Sequence, residues 1–280
     1  VPSQQDPRPA PMRAEPQPLA ACPPAVLAHK DILLTDVDDT LTCRGRLAAS
    51  TLAAMEALAG AGIAVIPVTG GCSGWADHMA RAWPVAAVIA EGGAVALRRA
   101  GGGLERLYWA PRETLARNQA QVLAVAGELQ QAYGIVPAGD QDFRIADVAL
   151  DHAQDVGPLP AADVQAVIAA LQERGIRARA SSIHVNAWIG DFDKEAMARR
   201  CLARWFGVDG QARHRRVLFI GDAPNDEALF AALPDTVAVA NIAPHLLGLH
   251  ARPRWITAAS HGEGFEELAS TLLEARRPGR

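Results

Sequence analysis

Ile32-Leu33-Leu34-Thr35-Asp36-Val37-Asp38-Asp39-Thr40 is the stretch from which the rest of the chain is read. Ile32–Thr35 is a run without polar alternation, the pattern of a parallel strand covered on both faces by helices. Acidic residues follow at once, at the strand's carboxyl end, and open α/β sheets bind ligands outside those ends. Asp36 therefore projects into a cleft. If the extended conformation lasts two more residues, Asp38 points to the same side, because side chains repeat every second residue.

Outward from this stretch, the pattern predicts a helix over 50–61, a strand over 63–68, a helix over 74–82 and a strand over 86–90, a βαβαβ series. It recurs as a helix over 194–206, a strand over 217–220, a helix over 226–233 and strands over 236–240 and 255–257. The two stretches read as halves of one doubly wound, mostly parallel Rossmann-like sheet. Residues 96–188 differ in character, with helices expected over 112–133 and 161–175 and strands over 143–150, 176–180 and 183–188. A crossover between neighbouring parallel strands needs only a dozen or more residues. This segment is therefore expected to be an inserted α+β domain, with 29–95 and 189–280 forming the core.

Residues 1–28 are expected to be a disordered leader, since prolines at 2, 7, 9, 11, 16, 18, 23 and 24 oppose regular structure. Half of the 280 residues are hydrophobic, enough for a large core. The 27 basic and 31 acidic residues give a net charge of -4, which offers no footprint for nucleic acid or an anionic membrane. No apolar stretch has the length of a membrane span. Four cysteines without paired spacing suggest neither zinc nor a disulfide framework, so a reducing, cytoplasmic location is expected.

The chemistry rests on four segments. Of the two carboxylates at 36 and 38, one, ionised, can attack phosphorus, while the other, protonated at first, gives its proton to the leaving alcohol. Taken alone, the stretch reads equally well as an acidic turn. Gly221-Asp222-Ala223-Pro224-Asn225-Asp226 ends a second apolar strand, and Asp222 and Asp226 with Asp36 make a set of hard oxygen ligands suited to magnesium. Asn225 can donate to that network, although the segment is also a sound turn and helix cap. Thr69-Gly70-Gly71 offers a hydroxyl and open backbone N–H groups to a phosphate. Lys194, opening a helix, can act as a point charge on phosphoryl oxygens. A solvated lysine is the plainer reading of any single one.

Together these segments resemble the four signature motifs of the haloacid dehalogenase superfamily, in the phosphatase branch with a large cap, over about residues 30–275. The resemblance implies that Asp36 is the nucleophile and Asp38 the general acid/base. It further implies that Thr69 and Lys194 bind the phosphoryl group, with Gly70 and Asn225 beside them as phosphate-binding candidates from the residues alone, and that Asp222, Asp226 and the Asp38 carbonyl belong to a Mg2+ site, with Asp36 as a ligand from the residues alone. The capped subgroup is similar to sucrose-phosphate, trehalose-phosphate and mannosyl-3-phosphoglycerate phosphatases, which implies a small phosphorylated metabolite as substrate. Gly71 stands where the subgroup often has arginine, and Gly92 where it often has asparagine. In the insertion, alternation puts His184 and Asn186 on one face of a strand as leaving-group contacts. Arg144 and Asp147 either pair with each other or reach the substrate. A phosphomutase, or a non-catalytic phosphosugar-binding regulator on the same fold, are the competing readings.

Overall fold

The computed structural model describes residues 15–181 and 183–277. In chain order the first strands are β1 (Gln17–Pro18), β2 (Ile32–Thr35), β3 (Thr42–Cys43), β4 (Arg46–Leu47), β5 (Ala64–Pro67), β6 (Val88–Ala90), β7 (Val95–Ala100) and β8 (Gly103–Tyr108). The second group is β9 (Val136–Pro137), β10 (Val148–Asp151), β11 (Arg177–Ala180) and β12 (His184–Trp188). The last are β13 (Val217–Gly221), β14 (Thr236–Ala238) and β15 (Trp255–Ile256). The helices are α1 (Pro24–Leu27), α2 (Ala49–Gly60), α3 (Ser73–Ala82), α4 (Arg112–Tyr133), α5 (Ala161–Glu173), α6 (Lys194–Cys201), α7 (Gly210–Arg216), α8 (Glu227–Ala232) and α9 (His261–Ala275).

The central sheet runs β1-β15-β14-β13-β2-β5, every pair parallel. All four residues of β2 are buried, as an unbroken apolar run requires when both faces are covered. Leu33, Val65, Leu218 and Ile220 face one cluster, which includes residues of α2 and α9. Their sequence neighbours Ile32, Leu34, Ile66 and Phe219 face the other, with residues of α6 and α8. Phe219 meets Phe230 there at 5.3 Å between ring centroids. Alternate residues thus serve opposite layers, and the carboxyl ends of β2, β13 and β14 come to one rim.

Three expectations change. Residues 96–108, expected in the insertion, pair with the core side: β7 and β8 form an antiparallel hairpin on β6, which a Val68–Ile89 bridge links to the central sheet. The second sheet, β11-β12-β10-β9, is built only after α4 begins at Arg112. Of the expected leader, residues 1–14 lie outside the described residues, but 15–28 are built in: β1 pairs with β15, and Leu19 and Leu27 are buried. Proline is tolerated in β1 because it is an edge strand. The strand expected over 143–150 begins only at Val148, after a short 3-10 turn over Gln141–Phe143.

In the second sheet Val148, Leu150, Val185 and Ala187 pack on residues of α4 and α5. Period-two alternation sends His184, Asn186 and Trp188 to the other face, and all three line clefts shared with residues of the central sheet's rim. Among the described residues no helix is long and apolar enough to cross a membrane.

Candidate active site

β2 ends at Thr35, and the Asp36 N–H donates to the Ile220 carbonyl on β13 at 2.9 Å, so the sheet itself fixes where Asp36 leaves the strand. Asp36 is buried, and its Oδ1 accepts from Lys194 Nζ at 2.5 Å. The same ammonium donates to Asp226 Oδ1 at 2.7 Å. Lys194 is positioned by Asp193, the N-cap of α6, whose Oδ1 accepts from the Ala196 N–H at 2.8 Å. The other oxygen of Asp226 accepts from the Asp222 and Ala223 N–H groups at 3.0 and 3.3 Å. This tight turn explains Gly221: a Cβ there would lie 2.3 Å from Asp226 Oδ2.

Asp36, Asp222 and Asp226 each bring a carboxylate oxygen within 4.8 Å of the others. Burial, then Asp226, push the Asp222 carboxyl up to about 8. Asp36 is raised well above the usual carboxylate range, first by burial and then, against the pull of Lys194, by Asp226 and Asp222. Burial alone would lower Lys194, but Asp226 and Asp36 outweigh it and its pKa is raised, so it stays an ammonium. Three buried carboxylates facing one lysine leave a deficit of positive charge, and all their donors are hard oxygens. Mg2+ fits that donor set and that deficit.

Asp38 opens onto the cleft. Protein packed around it raises its pKa, and Lys194 and the Thr69 hydroxyl offset part of that. A carboxyl raised in this way is suited to holding a proton. Thr69 is buried beside it, and its Oγ1 accepts from the Gly71 N–H at 2.8 Å, closing the loop over which Gly70 lines the cleft. Asn225 lines the same recess as Lys194 and Gly70, and its Oδ1 has no partner among the described residues. The four segments singled out in the sequence thus meet at one rim.

Of the four residues expected at the cleft's far side, Arg144, Asp147 and Asn186 are engaged with one another. Arg144 Nη1 donates to both oxygens of Asp147, at 2.9 and 3.1 Å, and to the Gly70 carbonyl at 3.0 Å, while Asp140 takes its other edge. Asn186 Nδ2 donates to Asp147 Oδ2 at 3.0 Å. Of the two alternatives for Arg144 and Asp147, pairing is the one found. His184 is buried, and its Nε2 has no partner among the described residues; burial and then Arg144 lower its pKa, so the ring is neutral.

Sequence reasoning missed Thr40, Asn241, Glu91 and Trp188. Thr40 Oγ1 donates to Asp222 Oδ1 at 3.0 Å, and Asn241 Nδ2 donates to Asp222 Oδ2 at 3.1 Å and to the Asp39 carbonyl at 3.0 Å. Thr40 closed the quoted stretch and was open to notice, whereas no local pattern marks Asn241. Trp188 Nε1, on the face of His184 and Asn186, is buried without a partner among the described residues.

No family model matches the chain, and no curated protein does. Solved structures do match. A protein from Thermoplasma acidophilum, 0175, superposes with a TM-score of 0.70 at 16% identity, covering 87% of this chain and 98% of that one. The sucrose-phosphatase from Synechocystis sp. PCC6803, solved with sucrose and phosphate, gives 0.63 at 18% identity, over 87% of this chain and 98% of that one. The chain shares its fold with these two structures and with others of the haloacid dehalogenase superfamily. A subclass IIB sugar phosphatase of that superfamily gives 0.59 at 14% identity, over 86% and 98% of the two chains. The shared fold takes in parts of both sheets, since the matches cover 86–87% of this chain.

Proposed function

We propose that the protein is a magnesium-dependent phosphatase that hydrolyses a small phosphomonoester, a sugar phosphate or related metabolite, through an aspartyl-phosphate. The observation that carries this reading is the buried Asp36–Lys194–Asp226 contact beside Asp222, with Asp38 two residues from Asp36 on the open side. Asp36, Asp222 and Asp226 would hold Mg2+, which would supply positive charge to offset the repulsion of carboxylate and phosphate. Lys194, the Thr69 hydroxyl and the Gly70 backbone hold the phosphoryl oxygens, with Asn225 at the edge. An Asp36 oxygen attacks phosphorus and the ester P–O bond breaks. Asp38 gives its proton to the departing alkoxide, then takes one from the water that attacks the phosphoryl group, and Asp36 is freed as inorganic phosphate forms.

The unit from α4 to β12 acts as a cap over this site, with the rest of the chain as core. The resemblance to sugar phosphatases supports the substrate class, and a cytoplasmic location, read from the cysteine pattern, belongs to the same proposal. Phosphate release across a panel of phosphorylated metabolites, with magnesium and then with chelator, tests it. Release of phosphate from at least one ester, lost on chelation, is expected; no release from any ester would refute the reading.

A further inference from the structure

Glu91 is buried, and no cation pairs with it among the described residues, yet donors surround its carboxylate. Oε1 accepts from the Ser73 N–H at 3.0 Å, from the Ser73 hydroxyl, and from the Ile145 N–H at 3.0 Å. Oε2 accepts from the N–H groups of Ile145, Ala146 and Asp147 at 3.1, 2.8 and 3.1 Å. Ser73 opens α3 beside the Thr69 loop, and 145–147 lead into β10. One carboxylate therefore joins the two sides of the cleft.

The backbone at this point is equally committed. The N–H groups of Glu91 and Gly92 donate to the carbonyls of Gly71 and Thr69 at 3.0 and 3.1 Å. Glu91 itself has φ +50°, which side chains seldom adopt, followed by Gly92 at +62° and Gly93 at +116°. Gly93 lies against the Asp193 carbonyl so closely that a Cβ would stand 2.2 Å from it, one residue before Lys194. A single turn thus touches the Thr69 loop, the start of the Lys194 helix and the entry to β10.

We infer that Glu91 is a positioning residue whose carboxylate sets the Asp147–Arg144–Asn186 face of the second sheet over the phosphate loops. The inference rests on the phosphatase reading above. Glu91 acts through its neighbours: the clamped 145–147 segment carries Asp147, which holds Arg144 and Asn186, and Arg144 reaches Gly70. Every group aimed at its two oxygens is a donor, so the site calls for a side chain that accepts at both oxygens, as the carboxylate does. A glutamine amide would turn N–H against N–H.

The test compares the full chain with Glu91→Gln, following amide hydrogen exchange and steady-state kinetics with two substrates, the ester p-nitrophenyl phosphate and the acyl phosphate acetyl phosphate. Exchange at 145–147 should accelerate about tenfold or more, as loss of hydrogen bonds to a charged group implies, with β2 and β13 unchanged. KM for p-nitrophenyl phosphate should rise several-fold, while kcat/KM for acetyl phosphate, whose leaving group is small, stays within about twofold. Unchanged exchange at 145–147, or an equal loss on both substrates, would overturn the inference. Should Glu91→Gln not fold, Ser73→Ala removes one donor and should speed exchange at 145–147 by a smaller factor; no change there would overturn it too. Wild-type protein that releases no phosphate from either compound or from any ester of the metabolite panel would instead sink the phosphatase reading, and the exchange result would still judge the clamp.

Discussion

Replacing Lys194 by methionine tests the electrostatic reading of the site in the folded protein itself. The ammonium is about 5% exposed and lies 2.5 Å from Asp36 and 2.7 Å from Asp226, so solvent screens it little. Methionine keeps most of the stem's volume and removes the charge. Three carboxylates within 4.8 Å then face one another unneutralised. Removing one partner of a buried ion pair typically costs about 3–5 kcal/mol, and that is the loss expected at pH 8 in chelator. The penalty should also depend on pH. Asp36 and Asp222 already have raised pKa values, and without Lys194 they rise further. An acid raised in the folded state contributes stability below its unfolded pKa, near 4, and loses it as pH climbs towards the folded value. At pH 5 these groups are largely protonated in the fold, so the penalty should fall to about half or less. Lysine itself stays charged across this range and adds no slope. Urea unfolding of both proteins at pH 5 and pH 8 measures the difference. A cost below about 1 kcal/mol at pH 8, or one independent of pH, would refute the reasoning.

Glu91, pushed up to about 7 by burial and then by Asp147, against the pull of its donors, should make the wild type less stable as pH rises from about 4.5 through 7. Relative to Glu91→Gln the loss should be roughly 2–3 kcal/mol, read from urea midpoints at pH 4.5, 6 and 7.5, and parallel curves would contradict it. Gly93→Ala forces a Cβ to 2.2 Å from the Asp193 carbonyl at φ +116°. It should destabilise by about 2–4 kcal/mol and depress phosphate release by displacing Lys194, whereas a variant as stable as wild type would contradict that packing.

β2 and α4 were legible to the residue, because Ile32–Thr35 is apolar without interruption and Arg112–Tyr133 stops at Gly134, which takes φ +70°. What misled was pairing. The residues of β7 and β8 carry no strand expectation of their own, and which sheet receives them depends on β6, which no local pattern states. The stretch 143–150, rich in apolar residues, reads as one strand, yet Phe143 is 60% exposed and the N–H groups of 145–147 go to Glu91 and not to a neighbouring strand. A distant carboxylate overrode the local pattern. The site was legible where a parallel sheet brings strand ends together, as with Asp36, Thr69 and Asp222. Asn241 and Glu91 were hidden because each acts through backbone or side-chain groups remote in sequence.

The central claim is that Asp36 takes up the phosphoryl group. Wild-type protein mixed with phosphorus-labelled acetyl phosphate and magnesium, then quenched in acid, should carry label that hydroxylamine releases and that maps to Asp36. Asp36→Asn should carry none and should release no phosphate. Label on another residue, or full turnover by Asp36→Asn, would contradict the account.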